Sequence, residues 1–272
     1  MSNITPEWYL KILNIERAWK YSQGYGSIVG LLDSDIEHSL SALHISYIAN
    51  GAKYILSEET NELNQIYVID QIHRAIEKGC HVFCCTKTFR NLEYGKAWEE
   101  VIEKAHNNGM IIVAPTGDRN KRYIDYPAVL EGVISIGSAD QFGQRWVFHH
   151  WCGSNYGNKI DCIVPGYADK WGLLHGWENI DGGSIACSNM CGIIALLKSV
   201  KRDLSFHELQ DLIRDFSSLS VIGWNTTQGW GVPDIFRMLA NVIPSEVEIE
   251  KVTKRLRLIE LEIQSIIEEL EA

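Results

Sequence analysis

The sequence predicts an α/β fold of three layers: a doubly wound parallel sheet with helices on both faces, followed by a C-terminal helix. Three observations carry this expectation. Six short apolar runs, at 27–32, 52–56, 81–85, 110–114, 133–137 and 161–164, have the length of buried strands. Helical patterns separate several of them, and that alternation implies parallel strands joined by helical crossovers. The 272 residues are 46% hydrophobic and 22% charged, enough for a large core with an ordinary globular surface.

Taken in order, the first run ends at Asp33 and the second follows Asn50-Gly51. The segment 66–78 places Ile69, Ile72, His73 and Ile76 on one helix face, and Gly79 supplies the stop. The third run carries Cys84 and Cys85. A second helical pattern over 94–108 ends at Asn107-Asn108-Gly109, and the fourth run leads into Pro115-Thr116-Gly117-Asp118. After the sixth run, Asp181-Gly182-Gly183-Ser184 opens an apolar helical stretch. Functional groups of parallel sheets gather beyond the carboxyl ends of the strands. Asp33, Asp118 and the turn before Ser184 all fall at such ends.

Two domains are expected, 1–243 and 244–272. In the second, Val252, Leu256, Ile259, Ile263, Ile266 and Leu270 follow a 4-3-4-3-4 spacing, about three heptads of a/d seam. A short helix is marginal alone, so the seam calls for a surface on its own domain, another copy or another protein. Residues 245–272 are therefore the expected association segment.

The net charge of −10 opposes binding to a phosphate backbone. The sequence has no run of 18 apolar residues and no basic stretch leading into an apolar one at its start, so neither a membrane span nor a secretory signal is expected. The cysteines at 80, 84, 85, 152, 162, 187 and 191 form no paired CxxC framework and read as buried reduced thiols of a cytoplasmic protein. Cys187 and Cys191 share a helix face, but the spacing adds no further metal ligands. No metal or other cofactor is expected, and nothing in the pattern argues for or against structural calcium. The expected partner is a protein or peptide.

A serine directly after two glycines, at a helix start, has the form of a nucleophile on a tight turn. The glycines permit a sharp bend, and the helix N-terminus offers N–H groups to an oxyanion. The competing reading makes Ser184 a simple N-cap. The segment resembles the G-T-S-M-A-S-P element of subtilisin-like serine proteases, and the resemblance extends in the same order from Trp8 to Val242. Ile28-Val29-Gly30-Leu31-Leu32-Asp33-Ser34 is similar to V-A-V-I-D-S-G. Asn50-Gly51-Ala52-Lys53 is similar to P-G-A-K, and Val113-Ala114-Pro115-Thr116-Gly117-Asp118 to V-A-A-A-G-N. Tyr126-Pro127-Ala128, Val133 to Asp140, Pro165-Gly166 and Gly229-Trp230-Gly231 complete the series.

The resemblance implies a subtilisin-like fold and acyl transfer by a serine, a histidine base and an orienting carboxylate. It puts Asp33 at the catalytic aspartate, Ser184 at the nucleophile and Asp118 at an asparagine that donates to the oxyanion. It also puts Thr86, Lys87 and Thr88 at the S-L-G segment that pairs with substrate and borders its main specificity pocket. The family's H-G-T-H-V-A-G element is missing. His44 is the histidine in the right interval, yet only six residues separate it from Gly51, too few for the helix that the family's base opens. His38 falls at the family's H-P-D-L histidine, which is not a catalytic position, and His149 and His150 are remote alternatives. An ionised Asp118 repels an oxyanion while a protonated one can donate, and Thr88 adds bulk where the family has glycine. The leading expectation is a pseudoprotease acting by protein interaction. The alternative is an active serine endopeptidase with Asp33, His44 and Ser184 as triad and Asp118 in the oxyanion hole.

Overall fold

All six apolar runs become strands of one parallel sheet. In the computed structural model, which describes residues 7–32, 39–57, 64–166 and 182–244, they are β1 (Ile28–Leu31), β2 (Lys53–Leu56), β3 (Val82–Cys84), β4 (Ile111–Pro115), β5 (Val133–Ala139) and β8 (Cys162–Pro165). Their order is β2-β1-β3-β4-β5-β8. Valine and isoleucine dominate because β3, β4, β5 and β8 are buried along their whole length, between helices on either face. A small antiparallel hairpin, β6 (Val147–His149) and β7 (Cys152–Gly153), leaves the sheet between β5 and β8.

The strand order reverses between β1 and β3, where Leu31 pairs with Cys84. Such a switch point opens a crevice outside the carboxyl ends of the strands. Asp33 lies just past β1 in sequence, but it belongs to the segment outside the described residues, as do His38 and Asp181.

The helices are α1 (Glu7–Ile12), α2 (Ile15–Ala18), α3 (Leu40–Ile48), α4 (Gln65–Glu77), α5 (Gly95–Asn107), α6 (Gly182–Val200), α7 (Phe206–Phe216) and α8 (Ile235–Val242). The two amphipathic patterns match α4 and α5 to within a residue or two. Asn64 caps α4 by accepting the N–H of Tyr67 at 2.9 Å. The spacing leaves too little chain after His44 for a helix that opens there. In fact α3 begins earlier and contains His44, because Ser39 starts it by accepting the N–H of Ala42 at 3.0 Å.

The central element is α6, whose apolar residues are buried all round against the sheet and against α3. At 19 residues it is long and apolar enough to cross a membrane, although Ser188, Asn189 and its glycines break any continuous apolar run. Its 83% burial within the fold is that of a core helix.

The chain divides into two compact units, Met1–Asn241 and Val242–Ala272. The seam positions from Val252 to Leu270 lie outside the described residues.

Candidate active site

The glycines ahead of Ser184 serve close packing rather than a left-handed bend. Neither Gly182 nor Gly183 has a positive φ. A Cβ on Gly183 would stand 2.7 Å from Asp118 Oδ2 and 3.0 Å from Pro115 Cβ. One on Gly182 would stand 2.9 Å from the carbonyl oxygen of Gly166 and 3.0 Å from the Trp146 ring. Ser184 is half-buried within the first turn of α6, and its carbonyl accepts the Ser188 hydroxyl at 2.8 Å. It lies inside the helix, so the N-cap reading does not hold.

Asp118 meets this turn directly. Gly117 reverses the chain after β4 with φ 99°, and Asp118 Oδ1 then accepts the backbone N–H of Gly183 at 3.0 Å. The Asp118 carbonyl accepts the N–H of Gly153 at 3.1 Å, which ties the same residue to the hairpin. A carboxylate at a helix N-terminus is favoured by the free N–H groups and the positive dipole end. Acyl transfer asks for donors around the developing oxyanion. Here an acceptor stands beside Ser184 and takes up a neighbouring N–H.

His44 sits deeper. It is the fifth residue of α3, 7% exposed, with the rings of Tyr9 and Tyr47 at 5.9 and 5.5 Å. Burial lowers its pKa to about 4, and nearby Asn189 offsets only part of that shift. Even so, His44 Nδ1 and Asn189 Oδ1 close no hydrogen bond of normal geometry. Asn189 is more than a full turn beyond Ser184 on α6. Among the described residues no hydrogen bond joins His44 to Ser184. α3 opens at the Ser39 cap, and the residue preceding that cap in the sequence is His38. The signal for it in the sequence was the serine three residues before Ala42, which marks a helix start.

Thr86, Lys87 and Thr88 follow β3 and are half-buried. Just beyond them Phe89 and Tyr126 exchange both backbone hydrogen bonds, at 2.8 and 2.9 Å. That bridge brings the segment 125–126 against Thr88, and it was not visible in sequence spacing.

Beneath the turn, the sulfurs of Cys84, Cys187 and Cys191 all lie within 4.8 Å of one another, fully buried. The 3.8 Å between Cys84 and Cys187 is a contact of reduced thiols, not a disulfide. Burial pushes the Cys187 and Cys191 thiols well up. Three thiolates could hold a soft metal ion. The third ligand comes from β3, which helix spacing alone did not reveal.

A doubly wound parallel sheet, with a serine in the first turn of its buried central helix and an aspartate-bearing turn from the adjoining strand, makes this an α/β protein with its candidate site at the carboxyl ends of the strands. More narrowly, the chain belongs to the subtilase family, Peptidase_S8, whose model matches residues 26–231. It is a subtilisin-fold serine protease homologue. It is 23% identical over 188 residues to a thermostable alkaline protease of Halalkalibacterium halodurans, covering 69% of this chain and 50% of that one. It is 29% identical over 140 residues to a thermophilic serine proteinase of Bacillus sp. strain AK1, covering 51% of this chain and 31% of that one. The chain thus spans a third to a half of the length of these relatives. Among solved structures it resembles MycP1 with its N-terminal propeptide removed, at TM-score 0.68 and 18% identity, covering 85% and 96% of the two chains. A lanthipeptide protease matches at TM-score 0.67 and 15% identity, covering 86% and 94%. These likenesses concern the fold.

Proposed function

We propose that this chain is a pseudoprotease of the subtilase fold that acts by binding proteins or peptides. The observation that carries the reading is the Asp118–Gly183 contact: an acceptor stands next to Ser184 where acyl transfer requires a donor. The burial of His44 supports it, since a group with a pKa of about 4 is a weak base at neutral pH. In subtilisin, a relative of this chain, removing the triad histidine costs about 10⁶ in turnover. The partner engages the cleft at the carboxyl ends of β1, β3 and β4, or the heptad segment 245–272, in the cytoplasm and without nucleic acid or membrane. The test is treatment of the full chain with a fluorophosphonate probe alongside an unfolded-peptide library. No labelling and no cleavage are expected. Labelling that disappears in Ser184→Ala would overturn the reading.

One observation favours a second reading, an active endopeptidase. The cap at Ser39 makes His38 the histidine next to the opening of α3, and Asp33 and Ser184 remain in the chain. In that case His38→Ala abolishes cleavage and His44→Ala spares it. The arrangement with His44 as base predicts the reverse.

A further inference from the structure

The cysteine cluster beneath the Ser184 turn is used by neither reading of the chain. Cys84 ends β3 in the middle of the sheet, in register with Leu31 of β1 and Val113 of β4. Cys187 and Cys191 stand one turn apart on α6, which packs across these strands. All three residues are 0% exposed. Cys187 is three residues beyond Ser184, about 4.5 Å of helix rise, so the cluster begins just under the half-buried serine.

Buried cysteine often serves as a small apolar residue, and packing asks only that its neighbours fit. Here the sulfurs themselves converge. Cys84 and Cys187 Sγ are 3.8 Å apart, and no two of the three exceed 4.8 Å. A three-coordinate ion with metal–sulfur bonds of about 2.3 Å holds its sulfurs about 4.0 Å apart. The observed spacings bracket that value, so an ion enters at the centre with only small side-chain shifts.

The donor set narrows the ion. Sulfur ligands select soft ions, copper(I) and zinc among them. A buried structural zinc site closes with four protein ligands. Among the described residues no further Cys, His, Asp or Glu atom joins the three sulfurs. The neighbouring Cys85 thiol donates instead to the Lys87 carbonyl at 3.6 Å. Copper(I), with a filled d shell, is satisfied by three sulfurs in a plane. The ion must also displace protons: the Cys187 S–H donates to the Val113 carbonyl at 3.4 Å, and burial holds the Cys187 and Cys191 thiols neutral. Only an ion that bonds strongly to thiolate overcomes that, which again favours copper(I) over a harder cation.

We propose that Cys84, Cys187 and Cys191 form a binding site for one copper(I) ion, held by the three sulfurs in a trigonal plane. Each cysteine that binds as thiolate releases its proton to solvent, and the charge of the ion offsets part of the thiolate charge that burial disfavours. The ion fastens the end of β3 to α6 beneath Ser184. The site stands whether or not the chain cleaves peptides.

The experiment is titration of the reduced full chain with copper(I) under nitrogen, in competition with a chromophoric copper(I) chelator. Cys152→Ser is the starting protein, because Cys152 is the one cysteine that is not buried. One equivalent is expected to bind, at least 100-fold tighter than to Cys84→Ala or Cys191→Ala in the same background, while Cys80→Ala binds as the starting protein does. X-ray absorption should show sulfur neighbours alone, three of them at about 2.3 Å. Thermal unfolding adds a readout that needs no core variant: the midpoint should rise with one equivalent of copper(I) and stay put with one of zinc(II). Should a core variant fail to fold, X-ray absorption of the starting protein decides. No copper(I) bound, an affinity unchanged in the Cys84 and Cys191 variants, or nitrogen or oxygen neighbours around the copper would each overturn the site. An equal rise in midpoint with zinc(II) would overturn the choice of ion and the three-coordinate geometry with it.

Discussion

Asp118 Oδ1 lies 3.0 Å from the backbone nitrogen of Gly183 and accepts its N–H. The contact joins the turn after β4 to the first turn of α6 across 65 residues of chain. It satisfies one of the free donors of the helix and sets a carboxylate against the positive end of the dipole. The same atoms that would organise an oxyanion site therefore organise the start of the core helix. Stability and chemistry compete for one position.

The first prediction concerns that contact. Asp118→Ala leaves the Gly183 N–H without its acceptor and should lower stability by about 1–3 kcal/mol. Asp118→Asn keeps an acceptor but loses the charge, so its loss should be smaller, about 0.3–1 kcal/mol. Urea unfolding at neutral pH measures both. An Asp118→Ala chain as stable as the parent would show that the contact contributes nothing.

His44 gives a pH signature. Its pKa is lowered from 6.5 to about 4 in the folded chain, with burial the main cause. Above pH 6.5 it is neutral in both states and the full contribution is present. As pH falls from 6.5 toward 4, the unfolded chain takes up a proton that the folded chain refuses, so stability falls. The whole shift corresponds to a loss of order 3 kcal/mol. Urea midpoints taken across this window should drop in the parent and stay flatter in His44→Met. Equal slopes in the two proteins would mean that His44 titrates normally.

The six strands were legible because strands buried on both faces are written as unbroken runs such as Ile111-Ile112-Val113-Ala114, and α4 and α5 because one apolar face repeats at helical spacing. The site was legible only as a set of names. Asp118 reads as a poor oxyanion donor in sequence. Its role as acceptor for Gly183 depends on how β4 meets α6, which spacing does not encode. The helix around His44 was hidden because its start lies at Ser39, before the histidine and not at it. The cysteine cluster carried half a signal. Cys187 and Cys191 share a helix face in the sequence, but only the meeting of β3 with α6 brings Cys84 to them.

A second pH window separates from that of His44. Ser205 caps α7, its Oγ accepting the Glu208 N–H at 3.2 Å while Glu208 Oε2 accepts the Ser205 N–H at 2.8 Å. The Lys201 ammonium, 2.5 Å from Oε1, and the Ser205 donors lower the Glu208 pKa from 4.5 to about 2. This contribution is complete above pH 4.5 and is lost as pH falls toward 2. Solvent screens the exposed Lys201–Glu208 pair, so the pH-dependent part should stay within a fraction of 1 kcal/mol. Ser205→Ala should cost about 1 kcal/mol at neutral pH. Helix loss by circular dichroism during acid titration checks the window. Glu208→Gln should remove the step below pH 4.5 and leave the step between 6.5 and 4 intact.

Gly183→Ala tests why a glycine precedes Ser184. If the residue were needed for a left-handed bend, alanine would be strained by its backbone alone. Gly183 has no positive φ, so the cost must come from contact with Pro115 Cβ at 3.0 Å and Asp118 Oδ2 at 2.7 Å. The carboxylate can swing aside, but the proline at the end of β4 cannot do so without moving the strand. The expected loss is about 1–3 kcal/mol, the usual range for overpacking a filled site. The second half of the prediction is an interaction: in an Asp118→Ala background the Oδ2 clash is gone, and Gly183→Ala should cost less than it does alone. A double-mutant cycle in urea measures that coupling. Strict additivity would refer the need for glycine to Pro115 alone and would separate the packing of the turn from the carboxylate that stands over it.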